Sequence, residues 1–211
     1  MGAGIARAIF KHGFEVRLFD LNKQILDEAC QEIKQKARRN MNPDKIIKAG
    51  SLKEAAEGAD LIIEAVVEEI DIKCKLFAEL GKIAPPETIF ASNTSSLSIS
   101  RMASASGRKD RFVGLHFFNP PVIMRLIEVI VNNDLSGEVY DSVMEFIQNI
   151  KKTGVKCKES PGFVVNRILI PIISEAFYLL EEKFKEKEVK MIDVANDIDS
   201  AIVKDNILFI G

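Results

Sequence analysis

Short apolar runs alternate with amphipathic segments along the first 160 residues of the chain. The run L-I-I-E-A-V-V at 61–67, for example, is apolar at nearly every position, whereas a half-exposed strand is apolar at every second one. Continuous apolar strands are buried on both faces, which is typical of parallel sheets covered by helices. The alternation therefore predicts an α/β fold with a doubly wound, Rossmann-type sheet.

The order of the predicted elements follows from the same alternation. The predicted strands cover residues 15–19, 45–49, 61–67, 88–92, 112–118, 126–131 and 155–158. A helix opens the chain, and later helices are predicted over residues 22–39, 52–57, 70–83 and 137–151, with a helical turn over 97–103. The helix at 22–39 has one predicted apolar face, which comprises Ile25, Ala29, Ile33 and Ala37.

The character of the chain changes after residue 160. Residues 163–180 predict a helix with a broad apolar face, in which Pro171 is expected to introduce a kink. Residues 189–203 predict a second helix, and two helices are too few to form an independent core. We therefore predict a Rossmann-type domain over residues 1–160 and a partial helical domain over residues 161–211.

Composition excludes several classes of function. The formal net charge of −2 provides no basic surface for nucleic acid or anionic lipid. No apolar run reaches the roughly 18 residues that a membrane helix needs. The three cysteines are widely spaced and form no metal-ligand pattern, which indicates reduced thiols. We expect a cytoplasmic protein that binds no metal, no nucleic acid and no membrane.

One histidine and one glutamate stand out against the apolar background. His116 follows the apolar run at 112–115 and precedes the turn N-P-P at 119–121, so we expect its imidazole at a strand end, facing a cleft. Glu128 is the one charge in L-I-E-V-I-V, and a buried carboxylate is costly unless it is paired. A His116–Glu128 pair would leave the second imidazole nitrogen free to exchange a proton. The alternative is that His116 is a structural core residue and that Glu128 pairs with a lysine or arginine.

Asp20 has the position of a ribose-binding residue. In a Rossmann-type fold the pyrophosphate of a dinucleotide lies at the helix after the first strand, and an acidic residue ending the second strand binds the ribose. Asp20 ends the strand at 15–19 and lies 18 residues after Gly2, close to the usual spacing of about 20. No arginine follows it directly, which favours NAD over NADP. An aspartate between a strand and a helix is also common without such a role.

The glycine-rich fingerprint is incomplete at the front of the chain. The pattern G-x-G-x-x-G should follow a strand, and Gly2 has the place of its third glycine. We therefore expect the intact protein to have a first strand and two more glycines before the residues given. That strand is central in the usual order, so its absence would leave backbone donors and acceptors open on both of its neighbours.

Six short motifs, in order and in register, resemble those of the 3-hydroxyacyl-CoA dehydrogenase family, including its 3-hydroxybutyryl-CoA members. They are M-G-A-G-I-A (1–6), E-A-V-V-E (64–68), S-N-T-S-S-L (92–97), H-F-F-N-P (116–120), L-I-E-V-I (126–130) and S-P-G-F-V-V-N-R (160–167). The resemblance implies an NAD-dependent enzyme that interconverts a 3-hydroxyacyl-CoA and a 3-oxoacyl-CoA. It also implies a homodimer when the protein is intact.

The resemblance implies roles for particular residues. His116 would be the base that removes the hydroxyl proton, and Glu128 would orient it. Ser95 and Asn166 match positions that hydrogen-bond the reacting oxygen of the substrate, which would place the site between two domains. The positions implied in cofactor binding, including the fingerprint glycine, are Gly2, Asp20, Glu68, Lys73, Ser95 and Asn119.

These positions also have plainer interpretations. Ser95 could cap a helix, Asn166 could cap or bridge, Asn119 suits a turn before proline, and Glu68 with Lys73 could form a surface ion pair. Two functions from different classes therefore stand. The first is the dehydrogenase, which the complete set of catalytic residues favours. The second is a catalytically impaired remnant that acts as a binding or structural protein, which the missing strand favours.

Overall fold

The computed structural model describes residues 1–37 and 41–184. The chain divides into two compact units, Met1–Phe163 and Val164–Gly211. The first unit is an α/β structure with a mixed, mostly parallel five-stranded sheet, which agrees with the predicted fold class. The division into domains at residue 160 stays a prediction.

The strands of the described chain form two sheets. They are β1 (Val16–Leu18), β2 (Ile46–Lys48), β3 (Leu61–Glu64), β4 (Ile89–Ser92), β5 (Phe112–Phe117), β6 (Leu126–Val131) and β7 (Thr153–Lys158). β1 pairs with β2 in parallel, and β3 to β7 form the five-stranded sheet in the order of the sequence. Neighbours in that sheet are parallel, except that β5 and β6 are antiparallel.

Helices connect most of these strands. They are α1 (Gly2–Phe10), α2 (Lys23–Gln35), α3 (Leu52–Ala56), α4 (Ile70–Ile83), α5 (Ile99–Ser106) and α6 (Gly137–Asn149), with 3-10 turns at Pro43–Lys45 and Lys109–Arg111. Asn22 and Ser98 cap α2 and α5, because their side-chain oxygens accept amide hydrogens from the first turn. The cap of α5 is therefore Ser98, and Ser95 lies before it.

β6 runs antiparallel to β5, whereas the continuous apolar runs predicted a parallel sheet. The connection between β5 and β6 covers only residues 118–125. A parallel neighbour needs a crossover of a dozen or more residues, so this connection is too short for one. The reversal places His116 directly opposite Glu128 in the register of the two strands.

The central strands are buried on both faces. One face packs on α4 and α5 through a cluster that includes Phe77, Phe90 and Phe112, and the rings of Phe77 and Phe112 lie 4.5 Å apart. The other face packs on α1 and α6 through a cluster that includes Ala91 and Val113. Because consecutive residues point to opposite buried faces, β4 and β5 read as continuous apolar runs.

Helix α1 packs against both sheets. Ile5 belongs to the cluster on the five-stranded sheet, whereas Ala6 and Phe10 pack with Leu26 of α2 and Ile46 of β2. Within the described residues, β2 is the only strand that pairs with β1, and β4 is the only strand that pairs with β3. The expected first strand stays a prediction.

Helices α4 and α5 approach closely at Gly81. A Cβ atom added at Gly81 would overlap the carbonyl oxygen of Ser106 and lie 3.1 Å from its carbonyl carbon. Arg108 fixes the same junction, because its guanidinium donates to the carbonyl oxygens of Gly81 and Ala84 at 2.8 and 2.7 Å. The close approach therefore requires glycine at this position.

The end of β3 and the buried face of α2 also differ from the prediction. β3 ends at Glu64 rather than at residue 67, because the Glu64 carboxylate accepts the amide hydrogen of Val66 at 2.6 Å and the chain leaves the sheet there. The predicted apolar face of the helix at 22–39 is wrong in part, since Ile25 is exposed. The buried residues of α2 are Leu26, Cys30 and Ile33.

The second unit is described over one helix, α7 (Val165–Phe184). Pro171 lies inside α7, and its predicted kink stays a prediction. Several large apolar side chains of α7 are exposed, among them Ile168, Ile172, Phe177 and Leu179. The helix predicted over residues 189–203 lies outside the described residues. Across the described ranges, no helix is long and apolar enough to cross a membrane.

Candidate active site

The carboxyl end of β5 carries His116, which meets a carboxylate from the neighbouring strand. Nδ1 of His116 lies 2.7 Å from Oε2 of Glu128. An ionised carboxylate can only accept a hydrogen bond, so Nδ1 donates and the neutral imidazole keeps its lone pair on Nε2. No group within the described part of the chain hydrogen-bonds to Nε2. One nitrogen therefore orients the ring, and the other can exchange a proton.

Both members of this pair are withdrawn from water. His116 is 6% exposed and Glu128 is 1% exposed. The rings of Phe118 and Phe163 lie beside the imidazole, with centroid distances of 4.6 and 5.8 Å. A hydrogen bond in such surroundings is stronger than the same bond in water. The Glu128 carboxylate is thus held against His116 in a largely apolar enclosure.

The loop after β4 brings Ser95 to the same edge of the sheet. Asn93 accepts the amide hydrogen of Phe117 through Oδ1 at 2.9 Å, which ties this loop to the end of β5. Glu68, in the loop after β3, accepts the amide hydrogen of Ser95 at 2.8 Å. Because β3, β4 and β5 are parallel neighbours, the loops at their carboxyl ends meet at the edge that also carries His116.

Behind these loops lies a buried ion-pair network. Lys73 of α4 is 1% exposed, and its Nζ lies 2.6 Å from Oε1 of Glu64 and 3.2 Å from Oε2 of Glu68. It also donates to the carbonyl oxygen of Val66 at 3.2 Å. Glu68 and Lys73 therefore form an internal ion pair rather than a surface one. The predicted contact of Lys73 with the cofactor stays a prediction.

Sequence reasoning missed Glu64 as a member of the site. Its carboxylate joins the end of β3 to Lys73 and, through Oε2, to the hydroxyl of Ser92 at 2.6 Å. Glu64 is the one charge inside the apolar run at 61–67, so the signal that singled out Glu128 was present here too. The run of apolar residues was interpreted only as a buried strand.

The other candidate cofactor positions of the first unit lie on neighbouring elements. Gly2 is the first residue of α1, and a Cβ atom there would lie 3.8 Å from that of Ala65, just beyond β3. Asp20 is exposed after β1, and one of its oxygens accepts an amide hydrogen two residues further on at 2.7 Å. Asn119 is half-buried in the loop after β5.

Asn166 belongs to the second unit. It is half-buried in the first turn of α7. Its predicted hydrogen bond to the substrate, and the predicted location of the site between two domains, stay predictions.

Comparison with known proteins decides the family. Residues 1–160 match the family model described as "3-hydroxyacyl-CoA dehydrogenase, NAD binding domain". The chain belongs to the 3-hydroxyacyl-CoA dehydrogenase family. The resemblance seen in the six motifs is therefore confirmed, and the cofactor of the matched domain is NAD.

Individual members of the family are similar over most of this chain. The mitochondrial hydroxyacyl-coenzyme A dehydrogenase of Rattus norvegicus is 39% identical over 219 residues, which covers 96% of this chain and 67% of the relative. A probable 3-hydroxybutyryl-CoA dehydrogenase of Bacillus subtilis is 38% identical, with coverages of 89% and 69%. The crystal structure of (S)-3-hydroxybutyryl-CoA dehydrogenase from Ralstonia eutropha superposes with a TM-score of 0.80 at 34% identity, covering 87% of this chain and 69% of that one.

The residues of the first unit fit NAD chemically. The first-turn amides of α1 have no carbonyl partner within the helix, and such amides suit a pyrophosphate. The exposed carboxylate of Asp20 at the end of β1 suits the hydroxyls of a ribose. This donor set agrees with the NAD-binding domain that defines the family.

The thiol of Cys157 lies behind the His116–Glu128 pair, with Sγ 4.0 Å from Oε1 of Glu128. Burial raises the pKa of the Cys157 thiol, and the Glu128 carboxylate raises this pKa further. Because the thiolate is the reactive form, we expect iodoacetamide to alkylate Cys157 at least about tenfold more slowly in the folded protein than in denaturant. Peptide mass spectrometry over time measures this rate. Equal rates in the two states would contradict the enclosed position of the thiol.

Proposed function

We propose that this chain oxidises a 3-hydroxyacyl-CoA to the 3-oxoacyl-CoA with NAD, and catalyses the reverse reaction, through general-base catalysis by His116. The observation that carries the proposal is the 2.7 Å contact between Nδ1 of His116 and Oε2 of Glu128, while no group of residues 1–37 and 41–184 hydrogen-bonds to Nε2. Membership of the 3-hydroxyacyl-CoA dehydrogenase family supports the same chemistry. The names of the relatives support a CoA thioester as the substrate.

His116 moves the proton in this proposal. Nε2 removes the proton of the 3-hydroxyl group and so relieves the negative charge that develops on the oxygen as hydride leaves the adjacent carbon. The imidazolium that forms is stabilised by Glu128, whose carboxylate is already hydrogen-bonded to Nδ1. In the reverse direction the protonated ring polarises the ketone and returns the proton. General-base catalysis of this kind contributes about 10²–10⁴-fold to the rate.

NAD supplies the hydride acceptor when it is bound. Its pyrophosphate would lie at the start of α1 beside Gly2, and its ribose hydroxyls would meet Asp20. Glu68, Ser95 and Asn119 are the further candidate contacts, by analogy with the family.

Ser95 and Asn166 orient the substrate in the proposed mechanism. The Ser95 amide donates to Glu68, which fixes the loop, and the Ser95 hydroxyl would hydrogen-bond the reacting oxygen. Asn166 would make the second hydrogen bond from a helical domain over residues 161–211. Restricting the oxygen in this way brings the reacting groups into alignment, which lowers the barrier by fixing orientation.

The exposed apolar side chains of α7 support a homodimer as the working form. Residues such as Ile172 and Phe177 are exposed within the described chain, and several large apolar side chains exposed on one helix favour an interface. The cytoplasmic location stays a prediction.

The proposal is tested by following NADH oxidation with acetoacetyl-CoA as the substrate. We expect turnover that depends on the CoA thioester, with acetoacetate alone as a negative control. A folded chain that binds NADH and shows no turnover would overturn the proposal and favour the alternative of a binding protein.

A further inference from the structure

A largely buried array of three charged side chains includes two, Glu64 and Lys73, to which the mechanism above gives no role. It consists of Glu64, Lys73 and Glu68, with the Lys73 ammonium between the two carboxylates. A single lysine would balance one carboxylate, and this array contains two. The direction of each hydrogen bond shows how the charges are distributed.

Every hydrogen-bond partner that the described residues give to the Glu64 carboxylate is a donor. Its Oε1 meets the ammonium of Lys73 and the amide of Val66, both at 2.6 Å, and neither group can accept. Its Oε2 meets the hydroxyl of Ser92 at 2.6 Å. The Ser92 oxygen accepts the amide hydrogen of Thr94 at 3.3 Å, so its own hydrogen is directed to Glu64. Glu64 is therefore placed as an acceptor at both oxygens.

Glu68 is surrounded in the same way. The Thr94 hydroxyl oxygen accepts amide hydrogens from Ser96 and Leu97, at 3.3 and 2.9 Å, and donates its own hydrogen to Oε1 of Glu68. The Ser95 amide donates to the same oxygen, and Lys73 meets the other. With two accepting carboxylates and one ammonium, the array carries a net charge of −1.

The array lies near the place where the nicotinamide must bind. Hydride transfer requires the ring to contact the carbon whose hydroxyl His116 deprotonates. The strand that ends in Glu64 is separated from the strand of His116 by β4 alone, which corresponds to roughly 10 Å. The oxidised nicotinamide ring is positively charged and the reduced ring is neutral. A fixed negative charge at that distance stabilises the oxidised form selectively.

We infer that the net negative charge of the Glu64–Lys73–Glu68 array makes the cofactor site favour the charged NAD⁺ over the neutral NADH, and that Glu64 contributes through its charge at a distance from the nicotinamide ring. The inference rests on the proposed function, which places the nicotinamide beside His116. The Lys73 ammonium already has three acceptors, in Glu64, Glu68 and the Val66 carbonyl. All three donors of the Lys73 ammonium are thus engaged within the array, and Lys73 enters the inference through its positive charge.

The test compares the dissociation constants of NAD⁺ and NADH for the full chain, measured by calorimetry. In Glu64→Gln the ratio of the NAD⁺ constant to the NADH constant is expected to rise about tenfold, as one buried charge is lost. Glu68→Gln should change the ratio in the same direction, and its 29% exposed side chain makes it the second variant should Glu64→Gln fail to fold. A purely structural defect would weaken both nucleotides and leave their ratio unchanged.

Two controls separate charge from geometry. Glu145→Gln removes a carboxylate from the exposed side of α6 and should leave the ratio unchanged. The double variant Glu64→Gln with Lys73→Met keeps the net charge of −1, so its ratio should return to within about twofold of the original. An unchanged ratio in both single variants, a raised ratio in the double variant, or a chain that binds neither nucleotide would overturn the inference.

The proposed function fails in a different way. A chain that binds both nucleotides but does not turn over acetoacetyl-CoA would refute the dehydrogenase proposal. The ratio of the two dissociation constants would still decide whether the array discriminates between the oxidised and reduced forms.

Discussion

Replacement of His116 by glutamine should reduce the turnover of acetoacetyl-CoA by about 10²–10⁴-fold, because the amide cannot take up the proton that Nε2 removes. Glutamine retains a polar group of similar reach beside Glu128, so the enclosure formed by Phe118 and Phe163 should persist. NADH binding should therefore remain within about threefold of the original value. Steady-state kinetics and calorimetry on the same preparation measure the two quantities.

The second histidine of the chain provides a matched control. His12 lies just beyond α1 and has no role in the proposed mechanism, and burial together with Lys11, Lys151 and Lys152 lowers its pKa. His12 is therefore neutral near pH 7. Because it has no part in the proposed proton transfer, His12→Gln should leave turnover unchanged. Equal losses in the two variants would point to a general defect in folding. Near-normal turnover in His116→Gln would remove this imidazole from the mechanism.

Replacement of Gly81 by alanine should lower the free energy of unfolding by about 3 kcal/mol, a large effect for one methyl group. The added Cβ would overlap the carbonyl oxygen of Ser106, which is backbone and cannot rotate away. Relief requires α5 to move relative to α4, which would also disturb the hydrogen bonds from Arg108. Urea unfolding followed by circular dichroism measures the change.

Gly137→Ala is the control for the Gly81 variant. Gly137 begins α6, has no heavy atom within 4 Å of an added Cβ, and has an ordinary helical backbone. Alanine favours the helix over glycine by about 0.5–1 kcal/mol, so Gly137→Ala should be neutral or slightly stabilising. A Gly81→Ala protein as stable as the original would show that α4 and α5 are not packed as closely as described.

The fold and the central residue pair could be predicted because their signals are local. Continuous apolar runs separated by amphipathic segments identify buried strands without knowledge of the partner strand. Glu128 was informative for a related reason, since a single charge within such a run requires a partner, and His116 was one of only two histidines. The structure brings these two side chains to within 2.7 Å of each other.

Other features could not be predicted because they depend on partners distant in sequence. The antiparallel direction of β6 depends on where the short connection from β5 places it, and apolar strands look the same in both directions. The array around Glu64 was missed although the same single-charge signal was present. Its partners Lys73 and Ser92 lie 9 and 28 residues away, and no spacing rule links them to the end of β3. The buried face of α2 was misassigned at Ile25 because periodicity alone tolerates a shift of one residue.

Helix α1 packs on both sheets of the described chain, through Ile5 on the larger sheet and through Ala6 and Phe10 on the smaller one. Asp20 follows β1 of the smaller sheet, whereas His116 lies in the larger sheet. The packing of α1 therefore fixes the separation between the candidate ribose contact and the candidate base, two groups that one dinucleotide and its substrate have to reach at the same time.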